Sequence, residues 1–309
     1  MISKKRMLEV EDLVGIYGMK ETCRRLQLPR VTVVDYLSRL KRIREKQIKK
    51  PRVLLVDIET TPIPVYVWQL RNNKYIHMSQ VIYIPKDWNM ICWCGKWLYT
   101  GEKFGAVQTP TEAKARDDRR IVEELWEYFN KADIIIGHNI DGFDKKKATS
   151  RFVYHRLGPP SPYLTIDTLK VANRELKEPS HKLDYLTQKY GLGAKYETGF
   201  ELWLECEKGN EKALKHMYEY CGNDVDLLES LYILLRPYVK RHPNLSLYVD
   251  SEEQRCTNCL SDILQAVSAH YYTYASKFRT YKCKNCGCYV RIKYRTKMDN
   301  PVIVRPIAN

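Results

Sequence analysis

Apolar residues near the start of the chain recur mostly every three residues, which predicts short helices that share one core. We expect helices over residues 10–17, 20–26 and 31–43, with a break at 27–30 because a proline there cannot continue a helix. The apolar positions expected in the shared core are Cys23, Leu26, Leu28, Val31, Val34, Leu37 and Leu40. The opposite face would carry Arg30, Thr32 and Arg39.

The segment from Tyr17 to Leu40 resembles a helix-turn-helix, whose third helix would enter the major groove of DNA. A three-helix module that docks a protein is the alternative. Residues 41–52 are almost wholly polar and basic, which predicts the end of the third helix followed by a linker.

Two acidic residues close an aliphatic run at 53–56. Alternate side chains of an extended strand point to the same side, so Asp57 and Glu59 can present two carboxylates to one ion while Ile58 faces the core. The spacing alone is weak, since it recurs once later in the chain. The buried strand distinguishes this pair, because acids at its end need a solvating partner and metal ions are effective ones.

A second aliphatic run at 134–136 follows a predicted helix over 111–130 and leads into a Gly-His-Asn turn. Asp144 is expected in the first turn of the next helix, towards the same edge of the sheet. Asp141 is a competing ligand, and N-capping of the helix is an alternative role for either acid. His138, in the turn, is equally expected to be a packed residue.

The third acidic position lies in a helix predicted over 217–235. Residues i and i+4 lie one above the other on a helix, so the Tyr220 hydroxyl and the Asp224 carboxylate can reach the same site. Asp226 is turned away by the helical period, and we expect it to be a solvated charge or a local ion-pair partner.

Three motifs therefore stand in the order Asp57-x-Glu59, Asn139-x-x-x-Phe143-Asp144 and Tyr220-x-x-x-Asp224. Residues 52–238 resemble the DEDD-type (DnaQ-like) 3′–5′ exonucleases, in the tyrosine-containing branch that includes the proofreading domains of family A and family B DNA polymerases. Three further stretches are similar to the family between its second and third motifs: residues 165–169, 180–186 and 191–193. The histidine-containing branch would need a histidine where this chain has Glu219.

The resemblance implies an α/β fold with an RNase H-like mixed sheet flanked by helices, and phosphodiester hydrolysis with two Mg²⁺ or Mn²⁺ ions. Asp57, Glu59 and Asp224 would hold the ion that activates water. Asp57 with Asp144 would hold the ion at the leaving 3′ oxygen. Tyr220 would orient the attacking water rather than act as a base, because its ordinary pKa is about 10. The terminal nucleotide would be held by Asn139 and by the backbone around Thr60 and Thr61.

Two Cys-x-x-Cys pairs near the end of the chain give its strongest chemical signal. In a reducing compartment this spacing favours tetrahedral ligation of Zn²⁺ over disulfides. Residues 253–292 resemble a zinc ribbon, and the ligands of one structural Zn²⁺ would be Cys256, Cys259, Cys283 and Cys286. Cys288 could replace Cys286 as the fourth ligand. The other cysteines are expected to be ordinary core residues: Cys23, Cys92, Cys94, Cys206 and Cys221.

Positive charge is concentrated at both ends of the chain, whose formal net charge is +15. Residues 1–50 carry 14 basic and 6 acidic side chains (+8), and residues 251–309 carry 10 and 4 (+6). The residues between carry 28 and 27 (+1). A polyanion such as nucleic acid is the expected partner of such ends, and solubility is the alternative explanation.

The C-terminal basic residues interleave with tyrosines, a composition suited to phosphate contact and base stacking. A purely structural ribbon, or one that docks a protein, is the alternative. The residues concerned are Arg279, Lys282, Lys284, Arg291, Lys293 and Arg295, with Tyr271, Tyr272, Tyr274, Tyr281, Tyr289 and Tyr294.

The predicted organisation is a helix-turn-helix module with a basic linker over 1–48, an exonuclease domain over 49–240 and a zinc ribbon over 241–309. We expect hydrolysis at single-stranded 3′ ends, with DNA favoured as the substrate. A role in DNA replication or proofreading would be in trans to a DNA polymerase or another replisome component, because no polymerase domain fits beside these modules.

Two alternatives are a transposon-type RNase H-like nuclease and a non-catalytic DNA-binding regulator. The first is disfavoured because the ribbon follows the last catalytic acid, and the second because no ligand is missing. The absence of a secretory signal and of a long apolar run predicts a cytoplasmic protein without membrane association.

Overall fold

The computed structural model describes residues 4–47, 50–69, 76–249, 254–274 and 276–293. The chain divides into two compact units. One consists of Met1–Lys50 with Ser246–Gln254, and the other of Pro51–Leu245 with Arg255–Asn309.

The strands, in chain order, are β1 (Val53–Thr60), β2 (Tyr66–Val67), β3 (Val81–Tyr83), β4 (Met90–Trp97), β5 (Lys103–Val107), β6 (Ile134–Gly137), β7 (Leu164–Asp167), β8 (Leu264–Thr273), β9 (Ser276–Cys283) and β10 (Tyr289–Lys293). The helices are α1 (Lys4–Leu26), α2 (Arg30–Gln47), α3 (Pro110–Ala115), α4 (Arg119–Lys131), α5 (Asp144–Tyr154), α6 (Thr168–Glu175), α7 (Leu183–Lys189), α8 (Glu201–Glu207) and α9 (Glu211–Leu235). Short 3₁₀ turns lie at Met78–Gln80, Arg236–Tyr238 and Leu245–Tyr248.

The first unit has the helical content that the sequence predicts, but its core is different. Gly18 has φ 75° and ψ 165°, which interrupts α1 and separates the two helical pieces expected there. Among the side chains of α2 that the structure describes, at positions 30–40, the fully buried apolar ones are Val33 and Leu40, two turns apart. The expectation that Val31 and Val34 belong to the core is wrong: they are 80% and 44% exposed, because the helical period places them off the Val33–Leu40 stripe.

The second unit is built on a five-stranded mixed sheet with the order β5-β4-β1-β6-β7. Its central strand, β1, is antiparallel to β4 and parallel to β6. The aliphatic runs that predicted buried strands at 53–56 and 134–136 therefore form two adjacent strands of one sheet. The pairing of β1 with β4 shifts register between Glu59 and Thr60, at the strand's acidic end.

Helices cover both faces of this sheet. On one face, Leu54, Val56 and Ile58 pack in a core with residues of α4 and α5. The long helix α9 packs with α6 and α7 in a second core, through residues such as Leu227 and Leu231. The fold is thus the mixed α/β sheet flanked by helices that the sequence predicts.

The helix expected over 111–130 is divided into α3 and α4, which corrects that expectation. Arg116 ends α3 in the left-handed conformation, with φ 57°. The break allows Asp118 to turn inward, where it accepts a hydrogen bond from the Met90 backbone at 2.8 Å and pairs with Arg151 and His155. Burial of a carboxylate is costly unless it is hydrogen-bonded or paired, and these three partners satisfy Asp118.

The C-terminal strands form a separate antiparallel sheet with the order β10-β9-β8. Its small core consists of Cys256, Cys283, Cys288 and Val290, with neighbouring half-buried residues. This sheet and the cysteine-bearing turns beside it are here called the ribbon, for their residues alone. The Asn258 side chain donates to the Arg236 carbonyl at 3.1 Å, which ties the ribbon to the end of α9. Within the described ranges of the chain, no helix has both the length and the apolar character to cross a membrane.

Candidate metal centres

Strand β1 and helix α9 bring three carboxylates together. Asp57 and Glu59 lie on the same side of β1, on either side of the buried Ile58, and Asp224 comes from α9. Each of the three offers an oxygen that lies within 4.8 Å of the oxygens of the other two. This is the convergence that the first and third sequence motifs predict.

Asp144 adjoins this group from the start of α5. It is buried, and its Oδ1 accepts a hydrogen bond from the Ile58 backbone N–H at 3.3 Å. Its negative charge is the second cause, after burial, of the raised pKa of Asp57. The structure therefore brings Asp144 beside the strand acids, while its part in metal binding stays a prediction.

Asp141, the competing ligand, has other partners. It accepts hydrogen bonds from the Thr165 hydroxyl at 2.8 Å and from the Lys170 ammonium at 2.7 Å. Partial burial opposes ionisation of Asp141, but these two hydrogen bonds outweigh it and leave its pKa below the ordinary value. This arrangement favours Asp144 over Asp141 as the acid of the second motif.

The acids beside Asp57 are held in an environment that disfavours their negative charges. Burial raises the pKa of Glu59 to about 7, and the charge of Asp224 adds to this effect. Burial likewise raises the pKa of Asp144 to about 7, against two backbone hydrogen bonds. The pKa of Asp57 lies well above its usual range because of burial and repulsion from its acidic neighbours. Clustered carboxylates of this kind fit hard divalent cations such as Mg²⁺ or Mn²⁺.

Two observations around Asp224 bear on this fit. Its Oδ2 contacts the Lys195 ammonium, which also donates to the Tyr220 hydroxyl at 3.4 Å. Its Oδ1 is buried and has no hydrogen-bond partner among the described residues. Burial raises the pKa of Asp224, and the Lys195 charge opposes the rise. The buried Oδ1, which has no hydrogen-bond partner within the part of the chain that the structure describes, could take a metal ion as its partner. The Lys195 ammonium on Oδ2 shows that the carboxylate is suited to a positively charged neighbour.

Without added divalent ions, the protein is expected to lose stability as the pH rises from about 5 to about 8. The folded protein keeps protons on Glu59 and Asp144 up to a pH of about 7, whereas the unfolded chain releases them near a pH of about 4. Since the folded state binds more protons in this window, the free energy of unfolding should fall by up to about 1.4 kcal/mol per pH unit for each group. Urea unfolding across this range measures the slope, and Asp144→Asn should flatten it. Stability that rises with pH would contradict the account.

Lys195 should matter most for stability when no divalent ion is bound. Replacing it by methionine leaves Asp224 buried without its cation, which should lower the free energy of unfolding by about 3 kcal/mol. Saturating Mg²⁺ should recover most of that loss, because the ion supplies the missing positive charge. The matched control is Lys170→Met, which breaks a more exposed pair with Asp141 and should cost about 1 kcal/mol or less with or without Mg²⁺. An equal loss for Lys195→Met in both conditions would contradict this role.

The predicted nucleotide-binding residues come from the end of β1 and from the turn after β6. The Thr61 backbone N–H donates to the Asn89 carbonyl at 2.9 Å, and its hydroxyl accepts from the Asn89 backbone at 3.0 Å. Asn139 has φ 70°, and its backbone N–H donates to Asp167 Oδ1 at 3.0 Å. Thr60 is the last residue of β1. Contacts of these residues with a nucleotide stay predictions.

A cavity of about 570 Å³ opens beside the Asn139 turn and reaches Lys195. This volume is in the range of small-molecule sites. His138 is a packed turn residue here: its ring nitrogens lie 2.9 Å from the Thr168 hydroxyl and 2.9 Å from the His181 carbonyl. The cavity is lined by His138, Asn139, Leu169, Asn173, His181, Lys182, Leu183, Asp184 and Lys195.

Three residues at the acid cluster were not predicted from the sequence. Lys195 follows a glycine-containing turn and belongs to no periodic pattern. The Trp203 side chain hydrogen-bonds Glu59, and its ring packs edge-on against Tyr220 at 5.9 Å between centroids. Cys221, expected to be an ordinary core residue, donates to the Asp57 carbonyl at 3.3 Å. Only Cys221 had a sequence signal, since it follows Tyr220 directly.

The second centre is the cysteine cluster of the ribbon. The sulfurs of Cys256, Cys259, Cys283 and Cys286 all lie within 4.8 Å of one another, so these four residues could hold one zinc ion. This set is the one predicted from the two Cys-x-x-Cys pairs. Cys288 lies close, with its sulfur 3.2 Å from that of Cys256, so its exclusion as a ligand stays a prediction. Four thiolates around one position suit Zn²⁺.

Comparison with known proteins finds a likeness to solved structures. No protein-family model matches the chain, and no curated protein matches its sequence. Among solved structures, the family B DNA polymerase from the hyperthermophilic archaeon Pyrobaculum calidifontis is similar, with 16% sequence identity and a TM-score of 0.45. The likeness covers 62% of this chain and 26% of the polymerase, so the chain spans about a quarter of that protein's length.

Proposed function

We propose that this protein is a metal-dependent 3′–5′ exonuclease with an RNase H-like core, which removes nucleotides from single-stranded 3′ ends. The observation that carries the proposal is the convergence of Asp57, Glu59 and Asp224 within 4.8 Å, from two elements far apart in sequence. Asp144 and Tyr220 adjoin the same group. These five side chains are the ones that a tyrosine-containing DEDD site would use.

Each acid has a defined part in this proposal. Asp57, Glu59 and Asp224 would hold the ion next to the attacking water, and Asp57 with Asp144 would hold the ion next to the leaving 3′ oxygen. When bound, the two ions supply the positive charge that stabilises the negatively charged phosphate in the transition state. The negative charges of these carboxylates are unfavourable when no ion is bound. With ions bound, the same carboxylates would hold the ions that position the scissile phosphate.

Tyr220 would orient the attacking water without taking its proton. Burial raises the pKa of the Tyr220 hydroxyl to about 12, and the charge of Asp224 adds to this effect. The hydroxyl is therefore neutral at physiological pH, and it can donate one hydrogen bond and accept another. Its edge-on contact with Trp203 fixes the ring, and its place one helical turn before Asp224 directs the hydroxyl to the acid cluster.

The other modules supply nucleic-acid binding in this proposal. The N-terminal helices would contact duplex DNA as a helix-turn-helix, and the ribbon with its structural Zn²⁺ would contact the substrate strand. Proofreading or another replication role would require a separate DNA polymerase. The ribbon begins after α9, which carries the last acid, and this order supports an exonuclease over a transposon-type nuclease.

Hydrolysis of end-labelled oligonucleotides tests the activity and its sugar preference together. Single-stranded DNA and RNA of the same sequence, labelled at the 5′ end, should be shortened stepwise in the presence of Mg²⁺ or Mn²⁺, with DNA shortened faster. Omitting the divalent ions should stop the reaction. A protein that leaves both substrates intact under all of these conditions would contradict the proposed exonuclease activity, and a non-catalytic DNA-binding role would then be favoured.

A further inference from the structure

The ribbon sheet packs on the cysteine cluster with one of its two faces. Side chains of alternate residues in β9 point to opposite sides, and cross-strand partners share a side. Cys283 and Tyr281 belong to the face that packs on the cysteine cluster, together with Val290 of β10. The opposite face, here called the outer face, includes Tyr271, Phe278, Lys282, Tyr289 and Arg291, which the strand registers place together.

Aromatic rings and cations alternate on the outer face. The Arg291 guanidinium lies 4.5 Å from the centroid of the Tyr271 ring and 4.8 Å from that of Phe278. The Lys282 ammonium lies 5.7 Å from the centroid of the Tyr289 ring. Tyr289 is 63% exposed and Tyr271 is 49% exposed, so both rings remain accessible. Cation–ring contacts hold these groups in place without covering them.

The charge of the whole ribbon is strongly positive. Between residues 254 and 293 a single acidic residue, Asp262, stands against seven basic ones. The basic residues are Arg255, Lys277, Arg279, Lys282, Lys284, Arg291 and Lys293. A polyanion is the ligand that such a surface attracts. The centre of a protein–protein interface is, by contrast, depleted of lysine, whereas on the outer face Lys282 adjoins the accessible Tyr289 ring.

We propose that the outer face binds single-stranded nucleic acid. Bases would stack on the Tyr271 and Tyr289 rings and on the plane of the Arg291 guanidinium, while Lys282 would contact a phosphate. Tyr289 and Tyr271 lie on opposite sides of the central strand β9, where they pair with Lys282 and Phe278. These two positions are four residues apart, or about 13 Å along β9, so an oligonucleotide needs several nucleotides to reach both rings. This platform deepens the proposed function by naming how the substrate strand is held, and it rests on that function for the choice of nucleic acid as the ligand.

The platform divides the tyrosines of the ribbon into two groups. Tyr271 and Tyr289 belong to it, whereas Tyr272 pairs with Lys277 on the other face of the sheet. Tyr272 is 64% exposed, as accessible as Tyr289, and it lies in the same strand as Tyr271. It is therefore a matched control for a tyrosine that is accessible but lies outside the platform.

Fluorescence anisotropy with labelled oligothymidine tests the platform in the full-length protein, without added Mg²⁺ or Mn²⁺ so that no hydrolysis is needed. Tyr271→Ala and Tyr289→Ala should each weaken binding by about 5- to 100-fold, and Tyr272→Ala by about 2-fold or less. Lys282→Ala should reduce the slope of log K against log salt by about 0.7. A DNA duplex should bind all variants equally. Zinc content reports the integrity of the ribbon, and Tyr271→Phe and Tyr289→Phe, which keep the rings, should bind like the wild type.

Unchanged oligothymidine affinity in both alanine variants overturns the platform, as would be found if this face docked a protein. A loss in Tyr272→Ala as large as in Tyr271→Ala overturns it as well. The nuclease proposal fails separately: a protein that binds oligothymidine through this face but releases no nucleotide with Mg²⁺ has the platform without the activity. A protein that hydrolyses DNA with unaltered affinity in the alanine variants has the activity without the platform.

Discussion

Replacing Asp57 by asparagine is expected to reduce nucleotide release at least about 1,000-fold, which corresponds to about 4 kcal/mol of lost transition-state stabilisation. Asp57 is the carboxylate that would contact both ions in the proposed site, and it lies on the central strand of the sheet. Asparagine keeps the shape of the side chain but removes its charge. Initial rates on 5′-labelled single-stranded DNA with saturating Mn²⁺ measure the effect.

The same substitution should make the metal-free protein more stable, and this separates a catalytic defect from misfolding. The pKa of Asp57 is raised by burial and by its acidic neighbours, so removing its charge relieves an unfavourable interaction. Urea unfolding without divalent ions should therefore show a higher midpoint for Asp57→Asn.

Asp226→Asn is the matched control for the acids of the site. Asp226 lies two residues after Asp224 on α9, but it pairs with Lys96 and Lys103 instead of the acid cluster. This agrees with the expectation of a local ion-pair partner. Its replacement should leave the rate within about 2-fold of the wild type, since partly exposed ion pairs contribute little. Full activity in Asp57→Asn, or an equal loss in Asp226→Asn, would contradict the proposed site.

Loss of zinc is expected to unfold the ribbon while the five-stranded sheet persists. The ribbon's core contains few apolar residues besides the cysteines. Zinc binding in small cysteine sites contributes about 10–16 kcal/mol to folding at neutral pH, far more than so small a core can supply. Cys256→Ser should therefore abolish the zinc content of about one ion per chain and expose residues 255–293 to limited proteolysis.

Two paired variants sharpen this test. Cys286→Ser should lose zinc and Cys288→Ser should retain it, because Cys286 belongs to the four-sulfur group and Cys288 does not. The opposite result would identify Cys288 as the fourth ligand. Cys23→Ser, a half-buried cysteine of α1, should keep a full zinc content. A Cys256→Ser protein with an unaltered zinc content would contradict the zinc site itself.

The sequence was most informative where local pattern and chemistry coincide. The acids of β1 follow an aliphatic run, and Tyr220 and Asp224 are one turn apart on a strongly apolar helix, so each local geometry could be predicted before the elements were assembled. The two Cys-x-x-Cys pairs predicted the four-sulfur cluster in the same way. In each case the spacing within one short segment is enough to place the side chains of that segment together.

Residues placed by tertiary structure could not be predicted in this way. Lys195 lies in a loop, and only the packing of that loop brings its ammonium to Asp224. The helix expected over 111–130 is interrupted at Arg116, which adopts the left-handed conformation. Residues other than glycine rarely adopt this conformation, so a single sequence does not indicate where it occurs. The exposure of Val31 and Val34 in α2 could not be predicted either. Apolar residues lie on several sides of this helix, so their pattern does not determine which side is buried.

The polarity of hydrolysis tests the central claim most directly. Single-stranded DNA is compared with the same strand blocked at its 3′ end by an inverted nucleotide and with the strand blocked at its 5′ end, each in Mg²⁺ with wild-type protein and with Asp57→Asn. We predict that the wild type releases 5′-mononucleotides from the free 3′ end, that the 3′ block stops the reaction, that the 5′ block does not, and that Asp57→Asn is inactive throughout. Degradation that continues past a 3′ block, or that begins at the 5′ end, would contradict a 3′–5′ exonuclease.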